Sequence, residues 1–283
     1  MTQVKVRLDT VMETALVTLY GKAIDARMTP SILGDEMAVQ AIEKIDYDFS
    51  RLKAMNRRVA PYAAARSKHF DDWTSEFLAR HERATVVHLG AGLDPRVWRV
   101  NPGPGVSWYD VDYPEVIDVR GKLFPARSNY RMIASSVTSP DWLTQVPTEA
   151  PTLIVAEGLT MYLHPEQGHE LFSRIVDRFQ HGVIAFDGHN WLGIRIVNIM
   201  LQRAFGTPLL HWAINDQYEV ERAEPRLHCI DALSALSAPS AAALPWSTRM
   251  FTRLIQPLRP LRDLGLYFRY QFSSARTAHP GGE

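Results

Sequence analysis

The segment TVVHLGAGLDPR, at residues 85–96, has the residue types of a loop that holds a nucleotide-like ligand. A short apolar run ends in Gly-Ala-Gly at 90–92, and glycines allow a ligand to approach the backbone closely. Asp94 and Pro95 follow, and they suit the N-cap and the first helical position of a helix. The segment therefore predicts a buried strand, a tight ligand-binding loop and a helix start.

The residues after this loop favour a ligand that has a ribose but no pyrophosphate. Dinucleotide sites carry a third glycine where this chain has Pro95. An acid about twenty positions further on binds ribose hydroxyls, and the next apolar run, at 106–114, supplies Asp110 and Asp112. We expect Asp112 to accept from both hydroxyls and Asp110 to be a solvated or cap-bound acid. S-adenosylmethionine is the common ligand of this kind, and a plain tight turn is the structural alternative.

Three sequence blocks resemble a known family: GAGLDPR (90–96), YDVDYPEVIDVRGKLFP (109–125) and LIVAEGLTMYLHPEQ (153–167). They resemble the leucine carboxyl methyltransferase superfamily, and within it the bacterial polyketide-type O-methyltransferases, which residues 16–52 also resemble. The resemblance begins near residue 8 and fades after about residue 190. It implies an S-adenosylmethionine-dependent O-methyltransferase that acts on a carboxyl or hydroxyl group of a small polyketide-like or aromatic metabolite, as in polyketide biosynthesis.

The resemblance also implies roles for individual side chains. Glu157 would accept from the methionine amino group of the cofactor and complement its sulfonium, with a structural ion pair to an arginine as the alternative. Arg66 would bind the cofactor carboxylate, assisted by Lys22, and a solvated basic face is the alternative for both. Ser136 and Val137 replace the family's Asp-Leu pair beside adenine, which predicts weaker cofactor binding or a non-catalytic relative. The predicted cofactor-binding residues are Lys22, Arg66, Gly90, Ala91, Gly92, Asp94, Asp112, Ser136, Val137 and Glu157.

The acceptor side of the predicted site follows the fifth strand. A carboxylate acceptor needs no base, whereas a hydroxyl acceptor needs one, and His189 in FDGHNW is the candidate. A hydrogen-bonded loop histidine is the alternative. Tyr162 is the second catalytic candidate, Asn190 and Trp191 are the substrate-binding candidates, and His88 is interpreted as a core residue or one behind the site. No HxxxH or CxxC spacing supports a metal site.

Alternating strand and helix signals predict an α/β fold. Apolar runs predict strands near 85–89, 106–111, 130–134, 152–156 and 183–187, and helices between them imply parallel pairing in a doubly wound sheet. The resemblance implies seven strands in a Rossmann-like, class I methyltransferase arrangement, and the alternating run 265–274 predicts an antiparallel edge strand.

We interpret residues 1–283 as one domain with four parts. Helical spacing at Val11, Ala15, Leu16 and Leu19, and again from Met37 to Ile45, marks an N-terminal helical annex, which ends with a third helix at 57–80. Small residues at 233–246 predict a loop or poorly ordered linker. The parts are the annex (1–83), the cofactor-binding core (84–187), a substrate-side insertion (188–225), and C-terminal strands and loop (226–283).

Composition limits the partners. Lys and Arg total 31, as do Asp and Glu, so the zero net charge predicts neither nucleic-acid nor membrane binding and favours a small-molecule substrate. The single cysteine, Cys229, cannot form an internal disulfide, and no signal peptide or membrane span is visible, so we expect a cytoplasmic protein. A protein C-terminal carboxylate substrate and an NAD(P)-dependent dehydrogenase remain alternatives. The oligomeric state is open.

Overall fold

The structure is a computed structural model that describes residues 4–6, 10–52 and 55–273. Its strands in chain order are β1 (Val4–Lys5), β2 (Ile45–Asp46), β3 (Ala84–Leu89), β4 (Val106–Asp112), β5 (Tyr130–Ala134), β6 (Thr152–Ala156), β7 (His181–His189), β8 (Leu227–Ser234) and β9 (Gly265–Ser273). Its α-helices are α1 (Thr10–Ala26), α2 (Glu36–Lys44), α3 (Ala60–Ala79), α4 (Arg96–Val100), α5 (Pro114–Leu123), α6 (Asp141–Thr144), α7 (Pro165–Arg178), α8 (Trp191–Phe205), α9 (Tyr218–Ala223), α10 (Trp246–Ile255) and α11 (Arg259–Arg262).

Seven of these strands form one sheet in the order β5-β4-β3-β6-β7-β9-β8. The five strands β3 to β7 are parallel, and β9 is antiparallel to both of its neighbours. The chain runs outward from β3 to β5 and then returns to β6 on the other side of β3, which opens a crevice between the carboxyl ends of β3 and β6. The predicted doubly wound, mostly parallel seven-stranded sheet is confirmed.

The central strands are apolar on both faces because helices cover both. Every residue of β3 and of β6 is buried. On one face Val87 packs in a cluster with Phe172 and Ile175 of α7, and on the other face Val86 packs in a cluster with Phe70 of α3. Strands buried on two sides read as continuous apolar runs, which is why their positions could be predicted within about a residue.

The N-terminal helices pack against the ligand loop as well as against each other. Leu16 and Leu19 of α1 share a buried cluster with Leu93, which follows the glycine loop, and with Val116 of α5. This packing places α1 across the carboxyl edge of the sheet. The side chain of Val11 lies outside the described residues, and the four-part division of the chain stays a prediction.

The helix after the glycine loop begins one residue later than predicted. Helix α4 starts at Arg96, Pro95 is its N-cap, and no side chain caps it. Asp94 is not the cap, because its carboxylate lies in an ion-pair cluster instead. The prediction of Asp94 as N-cap and Pro95 as first helical residue was wrong.

The C-terminal part differs from the prediction in two ways. Strand β9 is antiparallel as expected but is not an edge strand, because β8 pairs with its outer side, and residue 274 lies outside the described residues. Residues 233–246, predicted as a loop or poorly ordered linker, end β8 and then form a loop with a 3-10 turn at Pro239–Ala243, where Ala241 and Leu244 pack against Ala65 of α3. Small residues were needed here for close packing and did not mark disorder.

Candidate active site

A cavity of about 380 Å³ lies in the crevice at the carboxyl ends of β3, β4 and β6. Its walls come from α1, from Arg66 of α3, from the loops after these strands, from His189 at the end of β7, and from residues 209–211. Most of the residues predicted from the sequence line it, namely Lys22, Arg66, Gly90, Ala91, Gly92, Asp94, Asp112, Val137, Glu157, Tyr162 and His189.

The glycine loop, residues 90–92, adopts backbone angles that residues with a side chain rarely adopt. Gly90 has φ +61° and Gly92 has φ +52°, a left-handed conformation that costs other residues energy. A Cβ atom on Gly92 would also lie 3.3 Å from the Cβ of Ala15 in α1. The glycines therefore allow the tight turn and leave room for α1 to close one side of the cavity.

Asp112 ends β4 beside this loop. Its two carboxylate oxygens accept hydrogen bonds from the backbone N–H groups of Gly92, at 2.6 Å, and Tyr113, at 2.7 Å. Burial outweighs these bonds and raises the pKa of Asp112 above its ordinary value. Each carboxylate oxygen has a second lone pair, so the residue can also accept from two ligand hydroxyls.

Glu157 and Arg66 form ion pairs at the end of β6. Glu157 accepts from Arg66 Nε at 2.9 Å, from Ser67 Oγ at 2.8 Å and from Arg96. Burial alone would raise the pKa of Glu157, but Arg96 and Arg66 outweigh it and hold the pKa below its usual range. Arg66 also donates to Asp187 Oδ2 at 3.1 Å, and its side chain stays 24% exposed. The structural ion pair that was the alternative for Glu157 is thus present.

Asp94 is the centre of a second buried charge cluster. Its carboxylate contacts Lys22 Nζ at 2.7 Å, Arg96 Nη2 at 3.3 Å and Arg99 Nη1. Burial would raise the pKa of Asp94, but Arg99, Lys22 and Arg96 outweigh it and keep the pKa well below its ordinary value. Because Lys22 belongs to α1, this ion pair holds α1 against the glycine loop.

The interpretation of Asp110 as a solvated or cap-bound acid was wrong. Asp110 is 1% exposed and pairs with the fully buried Arg120 of α5. Arg120 in turn donates to the backbone carbonyls of Gly92, at 2.8 Å, and Asp94, at 3.0 Å. Asp110 therefore orients Arg120, and Arg120 holds the glycine loop in place through these two hydrogen bonds.

His88 lies in β3 between Arg96 and Asp110 and is buried, as the core interpretation expects. Its Nε2 lies 3.1 Å from Arg96 Nη1, which is a donor, and its Nδ1 lies 3.4 Å from Asp110 Oδ1. Burial, with Arg96 close by, lowers the pKa of His88. A neutral ring with its proton on Nδ1 suits both neighbours.

His189 lies at the end of β7 and lines the cavity. Its Nδ1 lies 2.8 Å from the carbonyl oxygen of Leu264 and donates to it, so Nε2 carries the ring's lone pair. Burial lowers the pKa of His189, which leaves the imidazole neutral at pH 7. Tyr162 also lines the cavity, where burial raises the pKa of its hydroxyl in spite of a hydrogen bond with Thr14.

Three predicted site residues lie away from the cavity. Ser136 forms a hydrogen bond with the Thr138 hydroxyl at 2.8 Å, and only its neighbour Val137 lines the cavity. Asn190 caps α8 by accepting from Gly193 N–H at 2.8 Å and is 5% exposed. Trp191 is 51% exposed at the start of α8. The structure therefore gives Asn190 a capping role and places neither substrate-binding candidate at the cavity.

Several residues at the site were not among the sequence candidates. Asp187 does not line the cavity, but it accepts from Arg66 and from the Gly158 N–H, and its position near the strand end in the FDGHNW segment was the available signal. Met161, Leu209 and Leu210 form an apolar cluster at the cavity wall, and His211 lies beside them. No motif marks residues 209–211, because they reach the site only through the fold of the 188–225 segment.

The site has no visible metal-binding cluster. Within residues 4–6, 10–52 and 55–273, no group of three or more His, Cys, Asp or Glu residues could hold a metal ion. In the same ranges, no helix is both long and apolar enough to pass through a bilayer.

Comparison with known proteins identifies the family. The model of the leucine carboxyl methyltransferase family matches residues 15–176. The tetracenomycin polyketide synthesis O-methyltransferase TcmP of Streptomyces glaucescens is 39% identical over 84% of this chain and 87% of its own length. The S-adenosyl-L-methionine-dependent methyltransferase dpfgK of Gibberella zeae is 31% identical over 79% and 82%.

A solved structure supports the fold independently of these sequence matches. A DUF574 family protein from Streptomyces avermitilis superposes with a TM-score of 0.59 over 90% of this chain and 97% of its own, at 11% identity. At that identity the likeness concerns the fold alone. The family model and the relatives together show that this chain belongs to the leucine carboxyl methyltransferase family.

Proposed function

We propose that this protein transfers a methyl group from S-adenosylmethionine to a carboxyl or hydroxyl oxygen of a small polyketide-like or aromatic metabolite. One observation carries the proposal: the glycine loop and Asp112 line the same cavity as His189, Met161 and Leu210. The names of TcmP and dpfgK support the donor and the oxygen acceptor. The volume of about 380 Å³ is in the range of small-molecule sites, and the polyketide in the name of TcmP favours a metabolite over a protein C-terminus.

S-adenosylmethionine is the methyl donor, and the residues present fit it. Asp112 has a second lone pair on each carboxylate oxygen for the ribose hydroxyls, and it lies beside a loop whose positive φ angles favour glycine. Glu157 and Asp187 supply negative charge for the amino group and the sulfonium. Arg66 uses Nε and Nη1 in its ion pairs, whereas its Nη2 donates to no described residue and can bind the cofactor carboxylate.

The bound cofactor supplies an electrophilic methyl group for an in-line displacement. The protein then has three tasks: to align the acceptor, to exclude water and to take up a proton where the acceptor is a hydroxyl. Met161, Leu209 and Leu210 provide apolar walls that suit an aromatic acceptor. The lone pair on His189 Nε2 can accept the hydroxyl proton, and the bond to Leu264 stabilises the resulting imidazolium.

The test is methyl transfer to a panel of aromatic hydroxy acids in three forms: unmodified, with the carboxyl group blocked, and with the hydroxyl groups blocked. Mass spectrometry detects the added methyl group. Alkaline hydrolysis then separates the products, because methyl esters are cleaved and aryl methyl ethers are not. Transfer to either group supports the proposal and identifies the acceptor oxygen.

Two results would overturn this proposal. Binding of S-adenosylhomocysteine without any methylated metabolite would make the chain a non-catalytic relative. Methylation of peptide C-termini in place of metabolites would assign it a protein substrate. The cytoplasmic location also stays a prediction. Fractionation of the cells that produce the protein tests it.

A further inference from the structure

Although the chain has zero net charge, two of its segments contain arginines and no acidic residue. Residues 188–215 contain two arginines and no acidic residue, and residues 232–262 contain four arginines and no acidic residue. Arg262 pairs with Asp263. The other five are exposed and form no ion pair with a described residue: Arg195, Arg203, Arg249, Arg253 and Arg259.

Large apolar side chains are exposed in the same two segments. On α10, Trp246, Met250 and Leu254 follow one another at four-residue spacing, so they lie on one face of the helix. Trp246 is 72% exposed and Leu254 is 75% exposed. On α8, four more apolar side chains are exposed: Trp191, Ile196, Ile199 and Met200. Single exposed apolar residues are ordinary, but a continuous helical stripe indicates a contact surface.

The fold brings the two segments together beside the cavity. Asn190, which caps α8, donates to the carbonyl of Pro260 in α11 at 2.9 Å. Gly193 of α8 packs so closely on Leu264 that a Cβ atom would lie 2.3 Å from its carbonyl oxygen. Val197 of α8 lines the cavity. We call α8 and residues 246–262 together the apolar basic surface.

We propose that the apolar basic surface docks onto an anionic lipid bilayer. An amphipathic helix that presents Trp, Met and Leu on one face, with arginines beside them and no acids, suits the interface of such a membrane. Tryptophan is favoured at the boundary between the lipid headgroups and the acyl chains, because its ring is apolar and its N–H is polar. Because Val197 also lines the cavity, docking would place the acceptor end of the site near the bilayer.

Two other occupants fit less well. A second copy of the chain, related by a two-fold axis, would bring ten arginines that pair with no described residue into one interface, since an isologous contact uses the same surface twice. An acidic protein would need a groove deep enough for side chains that protrude as far as Trp246 and Leu254. A bilayer accepts protruding apolar groups without a preformed groove.

The test is cosedimentation of the full chain, without cofactor, with vesicles of phosphatidylcholine alone and of phosphatidylcholine with phosphatidylglycerol. We expect binding to the anionic vesicles, a blue shift of tryptophan emission, and weaker binding at higher salt. Each basic residue near an anionic surface raises partitioning about fivefold, so Arg249→Glu with Arg253→Glu should lower it by at least about 25-fold.

Two further variants separate the contributions. Trp246→Ser with Leu254→Ser should also lower binding and reduce the blue shift to the part that Trp191 contributes, since charge attraction alone does not bury tryptophan. Arg83→Glu with Arg131→Glu is the matched control: it reverses two exposed charges near the start of β3 and on the edge strand β5, and it should bind as the wild type does.

Equal binding to both kinds of vesicle, or binding to neither, would overturn the proposal. Loss of binding in the control variant would overturn it as well, because the attraction would then not be local. Self-association in sedimentation velocity that Arg249→Glu with Arg253→Glu removes, without vesicle binding, would assign the surface to a second copy. None of these measurements depends on methyl transfer, so their failure leaves the proposed function untouched.

Discussion

Replacement of Glu157 by glutamine tests whether the buried charges hold the site together. Glu157 is 8% exposed and accepts from Arg66, Ser67 and Arg96. Glutamine has the same shape, but it is neutral and turns one acceptor oxygen into a donor. Glu157→Gln therefore leaves the volume of the site unchanged and removes one negative charge from two arginines.

The expected cost follows from what each arginine retains. Arg96 is fully buried and keeps Asp71 and Asp94, while Arg66 is partly exposed and keeps Asp187. Removal of one partner from a buried ion pair costs about 3–5 kcal/mol. Because both arginines retain a carboxylate, we expect the lower end, a fall of about 3 kcal/mol in the free energy of unfolding at pH 7.

Urea denaturation followed by circular dichroism measures this difference. The matched control is Glu170→Gln, because Glu170 also pairs with an arginine, Arg174, but is 59% exposed. That exposed pair should contribute less than about 0.5 kcal/mol. A loss below about 1 kcal/mol for Glu157→Gln, or equal losses for the two variants, would show that these buried ion pairs do not stabilise the fold.

The pH dependence provides a second check of the same prediction. The arginines hold the pKa of Glu157 below its unfolded value of 4.5, so its contribution is complete above pH 4.5 and is lost as the pH falls below it. The wild type should therefore lose its advantage over Glu157→Gln progressively in acid. A difference that stays constant between pH 7 and pH 3 would contradict an electrostatic origin.

Three further predictions concern the cavity. Asp112→Ala should weaken S-adenosylhomocysteine binding in calorimetry by about 1.5–3 kcal/mol, through a lost charge-assisted contact, whereas exposed Asp118→Ala should change it little. His189→Ala should lower the rate of methyl transfer to a hydroxyl acceptor by about 10²–10⁴-fold. In the wild type, the rate should fall in acid only below pH 6.5, because burial lowers the pKa of His189. An unchanged rate in the variant would exclude His189 as the base. Gly158→Ala and Gly34→Ala both put alanine at positive φ, +68° and +65°, and should each cost about 1–2 kcal/mol. Only Gly158→Ala places a methyl group 3.3 Å from Nη2 of Arg66, so only this variant should bind the cofactor more weakly. Equal cofactor affinities of the two variants would contradict the proposed binding of the cofactor carboxylate by Arg66.

Local patterns predicted the features of the site that depend on neighbouring residues. The apolar run before Gly90 has to be a strand because both of its faces are buried, and the loop has to contain glycine because φ is positive. Asp112 and Glu157 end such runs, so the rule for parallel sheets brings them to one edge. These predictions needed only the order of elements along the chain.

Predictions failed where a partner comes from a distant element. The burial of Asp110 depends on Arg120 of α5 and Tyr130 of β5, and nothing next to Asp110 indicates either contact. Strand β9 is internal because β8 pairs with it, and that pairing is set by a chain reversal across more than one helix. Trp191 looks like a pocket residue in sequence, but the direction of α8 turns it to solvent.

The sheet, the glycine loop and the kinds of side chain at the carboxyl edge of the sheet could be predicted from the sequence alone, because short-range periodicity and strand order fix these. The division of the charges among partners depends on tertiary packing: which carboxylates neutralise Arg96, that Arg66 Nη2 donates to none of the described residues, and which nitrogen of His189 holds the lone pair. Electrostatic pairing depends on distances between side chains far apart in the chain. Such distances exist only once the helices have packed.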